Sequence, residues 1–196
     1  MSAPRRPNRG PSAGPANRRA LLAAALEVFS EGGIDAPLSA VAKRAGVGQG
    51  SLYRHFPDRV SLALAAFEDN VAQLEATAAD PACTLDDLLA EITRQTIESI
   101  AFVDIVTAHS GDAASPGDAR LDAVAERVKA TLAGALRRAH RAKTVPPSVT
   151  VDDLMLAVGM VAALLAKTPP ADRRATADSA WALLRRALKV TSHSGH

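Results

Sequence analysis

The sequence predicts an all-α fold. Ala and Leu dominate a chain of 196 residues that is 47% hydrophobic but only 3% aromatic, and β-branched runs are short, a composition that favours helix. Apolar residues repeat at helical spacing in segment after segment. Pairs of helix breakers cut the chain into helix-length pieces, at Gly32-Gly33, Asp80-Pro81, Pro146-Pro147 and Pro169-Pro170. About nine helices are expected in all, enough for a sizeable core and for two small domains.

Residues 1–16 carry Pro4, Pro7, Pro11 and Pro15 with Arg5, Arg6 and Arg9, and cannot bury enough apolar surface to fold. They are expected to be disordered, either a basic arm that follows a DNA groove or a solubilising tail. Asn17 to Glu31 reads as the first helix, with Leu22, Ala25, Leu26 and Phe29 on one face, Asn17 as cap and Gly32-Gly33 as stop. Arg18 and Arg19 disfavour the dipole at its start, a cost that contact with phosphate would offset; the alternative is a pair of solvated side chains. Pro37 suits the first position of a second helix, in which Val41 and Ala42 face inward and Lys43 and Arg44 outward. Gly46 permits the left-handed turn that ends it, and Val47 plugs the small core. Gly48 opens a short third helix that ends before Pro57, with Leu52 and Phe56 inward. Asp58 caps a long fourth helix to about Ala79, and Thr84 caps a fifth that runs to about His109 with a bend allowed at Ser99 to Phe102. Residues 110–117 read as a loop. Asp118 to about Lys143, Val149 to Lys167 and Ala171 to Val190 complete the chain, the second of these apolar on most sides and so a buried or interface helix. The tail after Val190 should fray.

The stretch from Ala42 to Phe56 is the informative one. A short helix, a glycine turn and a second short helix with exposed polar groups make a helix-turn-helix, which places its second helix in the major groove of DNA. The junction needs glycine and small neighbours, here Ala42 and Ala45, so that the helices can cross steeply. Gln49 offers an amide for adenine, Ser51 can meet base or phosphate, Arg54 either, and Tyr53, His55 and Arg59 can reach the DNA backbone. His55 alone would read as a surface or packing histidine. With Arg18, Lys43, Arg44, Gly48 and Gly50 these are the candidate DNA-binding residues. Charge agrees: residues 1–60 hold nine Lys and Arg against four Asp and Glu, a net +5, and the remainder fourteen against seventeen, a net −3. Gly46, Gly48 and Gly50 imitate a phosphate-binding loop but lack the strand that must precede one.

Residues 17–67 resemble the DNA-binding region of the tetracycline-repressor (TetR) family. The matching words are Leu21-Leu22-Ala23-Ala24-Ala25, Phe29, Glu31-Gly32-Gly33, Val41-Ala42, Ala45-Gly46-Val47, Gly50-Ser51-Leu52-Tyr53-Arg54-His55-Phe56-Pro57 and Arg59. They cover about a quarter of the chain. Gly48 stands where the family usually has serine, Ala36-Pro37 where it has Ser or Thr, and Arg59 where it has lysine. The resemblance implies a homodimer of all-helical subunits, a three-helix reading head and a variable C-terminal domain that binds a small molecule. The domain division expected is therefore a tail at 1–16, a helix-turn-helix domain at 17–62, and a helical ligand-binding and dimerisation domain at 63–191.

The rest of the chain has no motif of comparable specificity. Val151, Met155, Val158, Gly159, Ala162 and Leu165, with Trp181, Leu184 and Leu188, are candidates for a four-helix contact across a two-fold axis; the alternative is monomer core. Phe67, Leu74, Phe102, Val106, His109, Met155 and Met160 are candidates to line a ligand cavity, though each taken singly reads more simply as core. His109 lies near Asp104 and Asp112, but no nucleophile, metal triad or second base accompanies it, so catalysis is not expected and neither is a metal or cofactor. The single cysteine, Cys83, excludes an internal disulfide, and no apolar stretch reaches the roughly 20 residues of a membrane span, so the expected location is the cytoplasm. The expected partners are an operator in double-stranded DNA, a second subunit and a small-molecule effector. The expected function is a ligand-responsive transcriptional regulator, a repressor released from a palindromic operator. An activator or ligand-independent DNA-binder is the nearer alternative, and a helical enzyme or carrier the more distant one.

Overall fold

The chain is represented by a computed structural model that describes residues 13–33, 35–109 and 116–190. The described residues form eight α-helices, a short 3-10 turn at Pro170–Asp172, and no strand. The helices are α1 (Ala13–Gly32), α2 (Leu38–Arg44), α3 (Gln49–His55), α4 (Arg59–Ala78), α5 (Leu85–His109), α6 (Pro116–Arg141), α7 (Val151–Ala166) and α8 (Arg173–Val190). The all-α expectation holds. Eight α-helices and the 3-10 turn among the described residues agree with the roughly nine expected, and α5 runs as one helix through Ser99 to Phe102. Helix α1 starts at Ala13 rather than Asn17. Pro15 permits this, because a proline in the first turn gives up an N–H that has no intrahelical partner there. Arg5, Arg6 and Arg9 lie outside the described residues, as do the side chains of Val106, His109 and Leu188.

Two apolar clusters organise the chain. In the first, Leu21, Leu22, Ala25 and Phe29 of α1 meet Val41 and Ala42 of α2, Leu52 of α3, Phe56, and Leu62 to Ala66 at the start of α4. In the second, Leu74 of α4 joins Leu88 and Ile92 of α5, Leu132 and Leu136 of α6, Leu154, Val161 and Leu165 of α7, and Trp181 of α8. Helix α5 is the axis of the body and packs against α1, α4, α6, α7 and α8. Its Phe102 belongs to the first cluster, not the second. The Phe102 ring stands edge-on to Phe29 at 5.5 Å and to Phe67 at 6.4 Å, so the residue expected to line a cavity instead plugs the base of the N-terminal head.

Buried polar groups fix how the body helices register. Asn70 donates from Nδ2 to Ser99 Oγ at 3.0 Å, and Gln95 donates from Nε2 to the Asn70 carbonyl at 3.1 Å, tying α4 to α5 between the two clusters. Trp181 donates its indole N–H to Thr93 Oγ1 at 2.8 Å, and that hydroxyl donates in turn to the Leu89 carbonyl at 2.6 Å, so no polar atom of the pair is stranded. On the outside, Arg120 and Arg127 of α6 hold Glu68 and Glu75 of α4. Both pairs advance seven residues along their helix, so they form two rungs on one face of each.

The caps expected at Asp58 and Thr84 are formed, and Thr150 adds one that the sequence reading passes over. Asp58 accepts from the Ser61 N–H at 2.6 Å, and the Asp58 N–H donates to Ser61 Oγ at 3.3 Å. Thr84 and Asp87 cap α5 in the same reciprocal way, and Thr150 and Asp153 cap α7. Replacing Asp58 by Ala is expected to cost about 1 kcal/mol and lower the melting temperature by about 2–4 °C, while Asp58→Asn should lose only a fraction of that. An unchanged melting curve for Asp58→Ala would show that α4 draws nothing from its cap. Backbone N–H bonds from Thr84 and Thr150 hold the Asp87 and Asp153 carboxyls below their ordinary range, and Arg127 does the same for Glu75 through a side-chain bond. These groups have lower pKa values folded than unfolded. Their contribution is therefore complete above the ordinary carboxylate range and is lost as pH falls from that range through the lowered folded values, and acid titration followed by circular dichroism should show that direction.

Candidate nucleic-acid interface

The turn between α2 and α3 is built by one glycine and one valine. Gly46 has φ +66°, which a β-carbon would strain, and its N–H donates to the Lys43 carbonyl at 3.2 Å. The Val47 N–H donates to the Ala42 carbonyl at 3.0 Å, and the Val47 side chain packs against the head cluster. Gly48, extended at φ −66° and ψ 143°, caps α3 with no side-chain bond. Leu52 and Phe56 are buried and lock one face of α3 to α1 and α2.

The other face of α3 is open. Gln49, Gly50, Tyr53 and Arg54 are exposed, Tyr53 to 50%, and Ser51 and His55 are half-buried. Tyr53 has the hydroxyl that a phosphate or base edge requires. Arg54 folds back along its helix, its Nε donating to the Gly50 carbonyl at 3.2 Å and its Nη2 reaching Ser51 Oγ at 3.4 Å. The guanidinium and the serine hydroxyl thus stand together on the open face. Lys43 is exposed near the end of α2.

Three other candidates have partners within the chain. Arg44 lies between two carboxylates, 2.8 Å from Glu27 Oε2 and 2.8 Å from Glu31 Oε2, and clamps α2 onto α1. Those bonds raise the Arg44 pKa and lower that of Glu31. Arg59 donates to the Asp35 carbonyl at 3.2 Å, with its guanidinium 6.0 Å from the centre of the Phe29 ring. Arg18 lies 5.8 Å over the Phe56 ring and 4.0 Å from Glu68. Sequence reasoning places these three on the head but has no way to see their partners, which stand on other segments of the chain.

The residues expected at a subunit contact divide. Leu165 is fully buried and Trp181 is 7% exposed, so both are core of the single chain, where the packing of α7 and α8 against α5 encloses them. Val151, Met155, Val158 and Leu184 are half-buried against the same cluster, Ala162 is half-buried, and Gly159 is exposed. What the sequence missed is the outer stripe of α7: Leu156, Met160 and Leu164 are 65%, 55% and 45% exposed. With Gly159 and Ala163 they occupy positions i, i+3, i+4, i+7 and i+8 of one helical face, and Leu183 of the neighbouring α8 is also exposed. Met160 therefore points away from any interior cavity. Leu74 is a buried member of the body cluster, Phe67 packs beside Phe102, and Met155 packs against the body cluster. Among the described residues no helix is long and apolar enough to cross a membrane.

Comparison with known proteins agrees with this geometry. Residues 21–66 match the family model for bacterial regulatory proteins of the tetR family. A TetR transcriptional regulator from Streptomyces coelicolor is 29% identical, with 87% of this chain and 97% of that one covered at a TM-score of 0.65. A TetR transcription regulatory protein from Mycobacterium vanbaalenii is 27% identical over 79% of this chain and 95% of that one, with a TM-score of 0.63. GusR of Salmonella enterica, 20% identical over 89% and 96% of the two chains, shares the fold at a TM-score of 0.60. No curated protein matches the chain significantly.

Proposed function

We propose that this chain, a TetR-family transcriptional regulator, binds an operator in double-stranded DNA as a homodimer and releases it when a small molecule occupies its C-terminal body. The observation that carries the DNA-binding part is the division of α3: Leu52 and Phe56 fasten one face while Gln49, Tyr53 and Arg54 are left exposed on the other. A helix anchored on one side and polar on the other fits the major groove. In this reading Gln49, Gly50, Ser51 and Arg54 face base edges, and Lys43, Tyr53, His55 and Arg18 face the phosphates. Gly48 caps the helix, and Arg44 and Arg59 brace the head from behind.

Replacing Tyr53 and His55 together by Ala removes two polar side chains and no core residue. The expected result is a loss of operator affinity of about ten-fold or more, with subunit association and melting temperature nearly unchanged. Mobility shift at fixed salt against a duplex selected by the protein from a random pool measures it. Unaltered affinity would overturn the docking of α3.

The dimer is assigned to the exposed stripe of α7 together with Leu183, because subunits that face each other there would cover the large apolar side chains that α7 leaves in water. Two heads then read half-sites about 34–36 Å apart or a multiple of that. In this reading the effector enters the body beside α4, the helix that runs from the head into the second cluster, to which Leu74 belongs and against which Met155 packs. A ligand that binds the two head arrangements unequally shifts the DNA equilibrium by that inequality and no more. Repression is the sign of control proposed. In a reporter strain, deleting the protein should raise expression from its target promoter, and a fall would reassign it as an activator.

A further inference from the structure

We infer that Glu68 is a positioning residue that governs whether Arg18 is available to DNA, and that Arg120 of α6 sets its state. The inference rests on the DNA-binding reading above. One carboxylate serves two helices. Its Oε1 accepts from Arg120 Nε at 3.0 Å and Nη2 at 2.8 Å, while Oε2 lies 4.0 Å from Arg18 Nη2. Arg18 stands in α1, on the head, with its guanidinium over the ring of Phe56, the residue that closes the recognition helix. Arg120 stands in α6, on the body. Glu68 sits in α4, which touches α1, α5 and α6.

The geometry is a competition. With Arg120 close on one oxygen, Glu68 leaves Arg18 at the outer limit of an ion pair, and Arg18 is held chiefly by the Phe56 ring. In the DNA-binding reading its charge then remains free of a close carboxylate and a phosphate can take it. If α6 withdraws, Glu68 loses its two short bonds and its whole charge falls to Arg18. A guanidinium closed on a carboxylate is neutralised and offers DNA neither charge nor counterion release. All three side chains are between about one-third and two-fifths exposed, so the pairs are individually weak and can exchange. The second rung, Glu75 with Arg127, has no arginine of α1 to α3 beside it among the described residues and serves as the comparison: it ties α4 to α6.

Phosphate contacts are independent of sequence, so the test needs no known operator. Full-length protein is titrated by anisotropy against a labelled mixed-sequence duplex of about 30 base pairs over several salt concentrations. Glu68→Gln should tighten binding by about 2–10-fold. Arg120→Gln should weaken it by a similar factor, and its salt slope should be smaller by about one unit for each Arg18 that no longer pairs with a phosphate. Arg18→Gln should weaken binding and abolish both effects, and Glu75→Gln should leave affinity within about two-fold. Thermal melts confirm that each variant is folded. If the Glu68 and Arg120 changes persist in the Arg18→Gln background, they act through the general field, and the inference is wrong. If Arg18→Gln weakens binding but Glu68→Gln and Arg120→Gln do nothing, the inference fails and the DNA-binding reading stands. Failure of the unaltered protein to bind any duplex overturns both.

Discussion

Met160→Glu is expected to leave the subunit folded and to split the proposed dimer. Met160 lies midway along the α7 stripe, flanked by Leu156 and Leu164, and is 55% exposed in the single chain. A glutamate there costs the monomer little, because the position already faces water. In a closed interface the same carboxylate meets its symmetry mate near the two-fold axis, desolvated and facing a like charge. Size exclusion with light scattering should then report a mass near that of the 20.3 kDa chain instead of twice that value. The effect on DNA is larger than that of any single side chain at the interface with the duplex. In the proposed dimer two linked heads bind with a local concentration in about the millimolar range, and losing that linkage would lower duplex affinity by about 10²–10⁴-fold. A double Leu156→Glu and Leu164→Glu protein probes the same face from its ends. If all these proteins remain dimers with full affinity, the subunit contact lies elsewhere.

Phe102→Ala is expected to destabilise the protein strongly and to loosen the head from the body. The side chain is 1% exposed and touches both Phe29 of α1 and Phe67 of α4. Removing it should cost about 3–5 kcal/mol, the sum of the ring's transfer energy, its edge-to-face packing and the cavity left behind. The melting temperature would fall by roughly 6–20 °C. The position of the ring adds a specific expectation. Phe102 is the apolar bridge between head and body, so its removal should make the two melt apart. Trp181, the only tryptophan, sits in the body and reports that part alone, whereas far-ultraviolet circular dichroism reports every helix. In the unaltered protein the two signals should coincide. In Phe102→Ala the dichroism should begin to fall first as the head loosens. Coincident transitions with a loss under about 1 kcal/mol would show that α5 does not anchor the head.

The head is legible in the sequence because its determinants are local. Gly46 needs its left-handed turn, Leu52 and Phe56 recur at helical spacing, and Asp58 stands three residues before Ser61, so each element carries its own signal within a few residues. The body is legible only as a string of helices. Helix α7 is apolar on nearly every side, so its periodicity cannot tell the face that packs on α5 from the face left in water. Spacing alone therefore turns Leu165 and Trp181 outward and passes over Leu156 and Leu164. It misplaces Phe102 for a related reason: the pattern puts that ring on an apolar face of α5 but gives no hint that α5 reaches back to α1.

By itself, the sequence determined the all-α class, most of the breaks, the caps at Asp58 and Thr84 and the turn of the helix-turn-helix motif. Each of these depends on residues close along the chain, where backbone sterics and helical spacing act directly. Only the tertiary structure decided that Phe102 closes the head, that Arg44 braces α2 against Glu27 and Glu31, and that Glu68 and Glu75 hold Arg120 and Arg127. Those partners lie 13 to 73 positions apart. Such pairing follows from how amphipathic helices pack together, and a one-dimensional pattern of hydrophobicity leaves that packing undetermined.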